Sequence, residues 1–84
     1  MKYAVITGAS SGLGKEYIYA VLSSMPEIEK ILIIARRQDR LNSLKEELGE
    51  KIVPMPGDIT DGEVIRKYAE YLKAEKADVK LLIN

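Results

Sequence analysis

The strongest constraint on this fold is one pattern that occurs three times in succession, a short apolar run followed by a segment with helical periodicity. The apolar runs cover residues 3–6, 31–35 and 52–55, and a fourth run covers residues 79–83. Such short, continuous runs are typical of strands that are buried on both faces. Strands that alternate with helices favour a parallel sheet with helices on both sides. The sequence therefore predicts a three-layer α/β unit of order βαβαβαβ.

The helical segments are identified by apolar residues at spacings of three and four. The predicted apolar faces are Leu13, Tyr17, Ile18, Val21, Leu22 and Met25 in the first helix, Leu41, Leu44 and Leu48 in the second, and Val64, Ile65, Tyr68 and Leu72 in the third. Pro26 ends the first pattern, because proline cannot continue a helix. Gly49 is the predicted C-terminal cap of the second helix. Thr60 and Glu63 have the spacing of a capping box at the start of the third.

Two prolines order the predicted sheet. Pro54 and Pro56 cannot donate ladder hydrogen bonds, which favours an edge position for the third strand and the strand order 3-2-1-4. The fourth strand then forms the other edge, although residues 79–83 are apolar except at Lys80 and carry nothing that protects a free edge. We expect this strand to belong inside a larger sheet and residues 1–84 to be the N-terminal part of a truncated domain. In this chain alone, the open edge predicts a homodimer or higher self-association.

Composition argues against several classes of function. Thirteen basic residues balance thirteen acidic ones, so no broad field attracts nucleic acid or an anionic membrane. The chain has no cysteine and no histidine, which excludes disulfides and Ser-His-Asp chemistry and disfavours a metal site. The apolar start after Met1 is too short for a signal peptide or a membrane span. The expected location is the cytoplasm.

A glycine-rich segment, residues 7–14, lies where the first strand meets the first helix. Gly8 permits a sharp turn, and Gly12 allows the backbone to approach a pyrophosphate closely. Gly14 lets the helix pack tightly on the strand, while N–H groups at the helix N-terminus meet the phosphates. The loop predicts a dinucleotide site.

Two other kinds of glycine-rich loop fit less well. A P-loop requires a glycine where this chain has Ala9, and a serine or threonine where it has Glu16. A nucleotide-sugar epimerase of the extended subgroup would have its glycine at Ser11 in place of Gly12. The glycines match instead the pattern T-G-x-x-x-G-x-G, and in this motif the chain resembles the classical short-chain dehydrogenase/reductase family.

The resemblance extends along the whole chain and implies a Rossmann-type half-domain. Arg36 and Arg37 follow the second strand, Asp58 and Ile59 follow the third, and residues 82–84 resemble the start of the family's strand that ends in N-N-A-G. The resemblance implies that Asp58 and the Ile59 backbone contact the adenine end of a cofactor. It also implies that Asn84 lies near the adenosine ribose.

The preferred cofactor is read from the end of the second strand. In this family an acidic residue there accepts hydrogen bonds from the ribose of NAD, whereas this chain has Ala35 followed by Arg36. A guanidinium at that position pairs with the 2′-phosphate of NADP, with Ser10 and Arg37 as helpers. The expected cofactor-binding residues are Gly8, Ser10, Ser11, Gly12, Leu13, Gly14, Arg36, Arg37, Asp58, Ile59 and Asn84. The alternatives are solvated cations at Arg36 and Arg37, and, for Asp58, a turn or helix-entry role that supports the Thr60 cap.

No catalytic residue is predicted within this chain. The family's proton-transfer pair is Tyr-x-x-x-Lys, and none of the five tyrosines here has a lysine four residues later. The resemblance implies that the parent protein transfers a hydride between nicotinamide and a carbonyl or alcohol, with NADP(H) as its partner. This chain alone is expected to be inactive. The alternative is a non-catalytic nucleotide-binding or self-assembly module.

Overall fold

A computed structural model describes residues 1–7 and 12–83, and of residues 12–14 it describes the backbone only. Strands and helices alternate along the chain as β1 (Lys2–Thr7), α1 (Gly12–Ser24), β2 (Lys30–Ala35), α2 (Gln38–Leu48), β3 (Ile52–Pro56), α3 (Gly62–Ala74) and β4 (Asp78–Ile83). This is the predicted order. Within the described ranges, no helix combines the length and apolar character that crossing a membrane requires. The cytoplasmic location stays a prediction.

The four strands form one parallel sheet in the order β3-β2-β1-β4, which confirms the predicted topology. β1 is central, with Tyr3 opposite Lys30 of β2 and opposite Val79 of β4. β3 lies at an edge, as its prolines predict, with Pro54 opposite Ile33. The parallel arrangement brings the carboxyl ends of all four strands to the same edge of the sheet.

Both faces of the sheet are covered, which gives the three layers. On one face the sheet packs against α1 and α2, and the buried cluster there contains Ala4, Ile6, Ile18, Val21, Ile28, Ile31, Ile33, Ala35, Leu41, Leu44 and Ile52. On the other face it packs against α3, and the buried cluster contains Tyr3, Val5, Leu32, Ile34 and Tyr68. Residues that alternate along β1 and β2 thus enter opposite clusters, as the period of two in a strand requires.

Two predicted core positions are wrong. Tyr17 of α1 is 41% exposed and Ile65 of α3 is 49% exposed, because each lies one residue round the helix from the buried stripe. In α3 that stripe includes Tyr71, which packs edge-on against Tyr3 with 6.5 Å between ring centroids. The two hydroxyl oxygens lie 3.3 Å apart. The Tyr71 hydroxyl has a partner in the Tyr3 hydroxyl, so the Tyr71 ring can pack against the buried cluster. Helical periodicity predicted Ile65 on this face instead.

The predicted cap of α2 is confirmed, and that of α3 is wrong. Gly49 has a φ of 98° and its N–H donates to the Lys45 carbonyl oxygen over 2.9 Å. α3 begins after Asp61, whose carboxylate accepts from the Glu63 N–H over 2.9 Å. Thr60 does not cap the helix, because its hydroxyl donates to Asp58 instead.

α3 ends in a left-handed residue that is not glycine. Lys76 has a φ of 53°, and its N–H donates to the Lys73 carbonyl oxygen over 3.1 Å. The next N–H, that of Ala77, reaches back to the Leu72 carbonyl oxygen over 2.9 Å. These two bonds form a Schellman motif, whose left-handed position usually holds glycine because a β-carbon is disfavoured there.

Replacing Lys76 by glycine is therefore expected to stabilise the fold by about 1 kcal/mol, since it removes the β-carbon penalty. The free energy of unfolding is measured by urea denaturation. Lys76→Ala is the control, because it removes the same amine and keeps the β-carbon. Equal stability of the two variants would contradict this account of the α3 terminus.

Candidate functional site

The candidate site lies at the carboxyl edge of the sheet. β1 ends there at Thr7, and the segments that leave β2 and β3 there are residues 36–37 and 57–61. Along this edge the chain moves from β1 outward to β2 and β3, and then returns to the far side of β1 as β4. In open parallel sheets, ligands bind at the carboxyl ends where the strand order reverses in this way. The reversal here falls between β1 and β4.

Several predicted site residues lie outside the described part of the chain. These are Gly8, Ser10, Ser11 and Asn84, together with the side chain of Leu13. The backbone of α1 begins at Gly12, so Gly12 and Gly14 belong to its first turn. That turn contains no acidic residue, and an anion at the helix N-terminus would meet no carboxylate from it.

Thr7 joins the two strands that border the reversal, and it was not among the predicted site residues. Its hydroxyl donates to the Ile83 carbonyl oxygen over 3.4 Å, which links the end of β1 to the end of β4. A threonine at a strand end beside a glycine-rich loop was the available signal. The contact holds the carboxyl end of β4 against that of β1.

The two arginines after β2 have different surroundings. Arg36 is exposed and has no hydrogen bond or ion pair within residues 1–7 and 12–83. Arg37 is the N-cap residue of α2, with an extended backbone and no capping hydrogen bond from its side chain. Its guanidinium Nη2 instead lies 3.3 Å from Oδ2 of Asp39. Of the two arginines, Arg36 is thus the one without an ion pair that an incoming anion would have to displace, and its charge acts on Asp58.

Gly57 brings the end of β3 against the end of β2. Its N–H donates to the Ala35 carbonyl oxygen over 2.9 Å. Its φ is 156°, and a β-carbon there would lie 2.8 Å from Cγ1 of Val64. The Tyr68 hydroxyl donates to the Pro56 carbonyl oxygen and holds α3 against the same turn. Only glycine fits this junction without a shift of Val64. The next residue, Asp58, lies close enough to Arg36 for the charge of Arg36 to act on it.

Asp58 is held by a tight turn, which confirms its turn-forming interpretation. Its Oδ1 accepts from the Thr60 hydroxyl over 2.7 Å and from the Thr60 N–H over 2.9 Å. The hydroxyl bond chiefly, then the N–H bond and the charge of Arg36, lower the pKa of Asp58. Asp58 is therefore an oriented carboxylate at neutral pH. Ile59, the next residue, has an exposed side chain. The predicted adenine contacts of Asp58 and Ile59 stay predictions.

The site brings together Arg36 and Asp58 from adjacent strands. A guanidinium there can bind phosphate, and an oriented carboxylate can accept from N–H or O–H donors. Sequence reasoning found both residues but missed Thr60 as the residue that orients Asp58. The pattern Asp-x-Thr directly after a strand is a signal for such a turn. The capping-box spacing of Thr60 and Glu63 led instead to the prediction that Thr60 caps α3.

Substituting Thr60 by valine is expected to raise the pKa of Asp58, because the variant keeps the shape of the side chain and loses the hydroxyl. A lowered pKa stabilises the fold above the unfolded-state pKa, and this contribution is lost as pH falls through the folded-state value. In Thr60→Val this contribution is smaller, and its loss is complete at a higher pH than in the wild type. Carboxyl NMR titration measures the pKa of Asp58. Thr60→Ser is the control, because it retains the hydroxyl and should keep the pKa lowered. Identical pKa values in wild type and Thr60→Val would refute this role of Thr60.

This chain is similar in sequence to known dehydrogenases and similar in fold to a solved structure. A probable NADP-dependent dehydrogenase from Dichelobacter nodosus is 35% identical, with 95% of this chain and 73% of that protein covered. An NADP-dependent 3-hydroxy acid dehydrogenase from Schizosaccharomyces pombe is 33% identical over 99% of this chain and 33% of its own length. The closed form of a serine dehydrogenase complexed with NADP+ superposes with a TM-score of 0.74 at 28% identity, over 95% of this chain and 31% of that one.

The extent of these matches differs between the relatives. The chain spans about a third of the S. pombe enzyme and of the serine dehydrogenase, and most of the D. nodosus protein. The family model for short chain dehydrogenases matches residues 2–84. Together with the parallel strand order 3-2-1-4, this match shows that the chain belongs to the short-chain dehydrogenase family.

Proposed function

We propose that this chain is the NADP(H)-binding part of a short-chain oxidoreductase. The observation that carries the proposal is the exposed Arg36 at the carboxyl end of β2, with no ion pair from the described residues. A guanidinium binds a phosphate monoester through charge-assisted hydrogen bonds that are often bidentate. The relatives from D. nodosus and S. pombe are NADP-dependent by name, which supports the same cofactor.

The residues around Arg36 suit NADP better than NAD. The last residue of β2 is Ala35, so no carboxylate stands where one would accept from the ribose 2′-hydroxyl. The nearby carboxylate, Asp58, is engaged through Oδ1 by Thr60. In this proposal Arg36 binds the 2′-phosphate, with Arg37 and Ser10 as helpers, and Asp58 with the Ile59 backbone contacts adenine. Gly8, Ser11, Gly12, Leu13, Gly14 and Asn84 complete the proposed site.

The proposed activity belongs to the parent protein and is hydride transfer between nicotinamide and a carbonyl or alcohol carbon. The nicotinamide supplies or accepts the hydride when the cofactor is bound. The residues of this chain bind and orient the adenosine end. No Tyr-x-x-x-Lys pair occurs in the 84 residues, so the proton that accompanies the hydride has no donor of that type here.

We also propose that β4 pairs with β4 of a second copy. Val79 and Leu82 are 43% and 65% exposed, and an extra residue at Lys80 shifts the register so that both lie on the α3 face, beside Tyr3 and Val5. In the proposed pairing, a two-fold axis perpendicular to the sheet relates the copies, and Val79 of one copy lies opposite Leu82 of the other. The Asp78–Lys80 ion pair of 2.9 Å leaves the strand without net charge. Two copies of this strand would therefore not repel each other electrostatically.

Replacing Arg36 by alanine is expected to weaken NADPH binding and leave NADH binding unchanged. A hydrogen bond to a charged group contributes roughly 1.5–3 kcal/mol, or roughly 10- to 100-fold in Kd. Calorimetric titration with both nucleotides measures the change.

Arg66→Ala is the matched control, because it removes the same charge from an exposed pair with Glu63 on α3. Its Kd values for both nucleotides should equal those of the wild type. Wild-type affinity for NADPH in Arg36→Ala would contradict the proposed phosphate site.

Replacing Leu82 by lysine is expected to convert a dimer into a monomer, because a charged side chain blocks edge pairing. Analytical ultracentrifugation over a concentration series measures the mass. Ile65→Lys is the control, since it adds the same charge on exposed α3 and should leave the dimer intact. A wild-type chain that stays monomeric at high concentration would overturn the β4 pairing.

A further inference from the structure

The ion pair between Arg37 and Asp39 lies at the proposed phosphate site. The guanidinium Nη2 and the carboxylate Oδ2 are 3.3 Å apart, and both side chains are largely exposed. Arg36, the preceding residue, has no such contact within the described ranges. The two adjacent arginines therefore differ in their availability for a phosphate. Arg36 has no ion pair to a described residue, whereas Arg37 is paired with Asp39.

Asp39 is charged under physiological conditions. Its pKa is lowered, first by the hydrogen bond from the Arg37 side chain and further by the Arg37 charge and by backbone N–H groups including that of Arg40. Asp39 also lies in the first turn of α2, where a negative side chain is favoured by the helix dipole. The carboxylate is thus a persistent partner for Arg37 at neutral pH.

A carboxylate and a phosphate compete for the same guanidinium, because both present oxygen acceptors to the same fork of N–H groups. We propose that Asp39 is a specificity-determining residue that limits the preference for NADP by holding Arg37 away from the 2′-phosphate. This inference rests on the proposed function. Asp39 acts through Arg37 and touches no cofactor itself, so it is a positioning residue.

The size of the effect follows from exposure. An ion pair between exposed side chains is weak, and a phosphate carrying nearly two charges can displace it. The competition therefore reduces NADP binding without abolishing it. Releasing Arg37 is expected to tighten NADP+ binding about 1.5- to 5-fold, the range that corresponds to loss of one exposed pair.

The test is a calorimetric titration of the wild type and of Asp39→Asn with NADP+ and NAD+ at one fixed ionic strength. We expect the Kd for NADP+ to fall by the stated factor and the Kd for NAD+ to stay constant. A merely structural role for Asp39 would move both values together. Asp39→Glu, which retains the charge, should return the ratio of the two Kd values to that of the wild type.

Two controls separate this effect from a general change in charge. Glu63→Gln is closely matched, because Glu63 lies in the first turn of α3 and pairs with Arg66 at the same N–O distance of 3.3 Å. It should leave the ratio unchanged. Adding Arg37→Ala to Asp39→Asn should remove the gain, since the gain acts through Arg37. Asp39→Ala provides a second variant with the expected gain.

An unchanged ratio, or weaker NADP+ binding, in Asp39→Asn would overturn the inference. If Arg36→Ala still abolishes the NADP preference in that case, the proposed function stands and the role of Asp39 alone is wrong. If wild type and Asp39→Asn both fail to bind NADP+, the inference falls together with the binding function of this chain.

Discussion

The pairing of β1 with a parallel strand on each side determines most of this structure. Ala4 and Ile6 enter the cluster beneath α1 and α2, while Tyr3 and Val5 enter the cluster beneath α3. A strand buried on both faces and both edges cannot change register without exposing apolar side chains. Connections between parallel strands are right-handed, so the direction in which the chain moves along the sheet decides which face each helix covers. The reversal beside β1 leaves the carboxyl edge as the natural place for a ligand.

The electrostatics of that edge are set by short contacts. The chain has no formal net charge, so long-range attraction contributes little to ligand binding. Each charged side chain at the edge is distinguished by its neighbour: Thr60 orients Asp58, and Asp39 holds Arg37. Of the two arginines after β2, Arg36 is the one without an ion pair to a described residue. A preference for a phosphorylated cofactor can therefore arise from one residue in an otherwise balanced chain.

The elements and their order could be predicted because local rules agree with the tertiary structure. Pro54 and Pro56 constrain hydrogen bonding directly, and their strand lies at the sheet edge as expected. Predictions failed where two neighbouring residues satisfy a rule almost equally. Asp61 and Thr60 can each cap a helix, and the choice depends on Asp58, which takes the threonine hydroxyl. The pairing of Arg37 with Asp39 depends on rotamers that spacing does not specify.

The central claim is that the carboxyl edge of the sheet binds the adenosine-phosphate end of NADP(H). The most direct test is to add NADP+ to the 15N-labelled chain and follow every backbone amide by NMR. The account predicts shifts in residues 8–14, 36–37 and 57–60, and unchanged amides at the amino edge, where residues 2, 30 and 78 begin their strands. Shifts concentrated at the amino edge, or none at any residue, would contradict it.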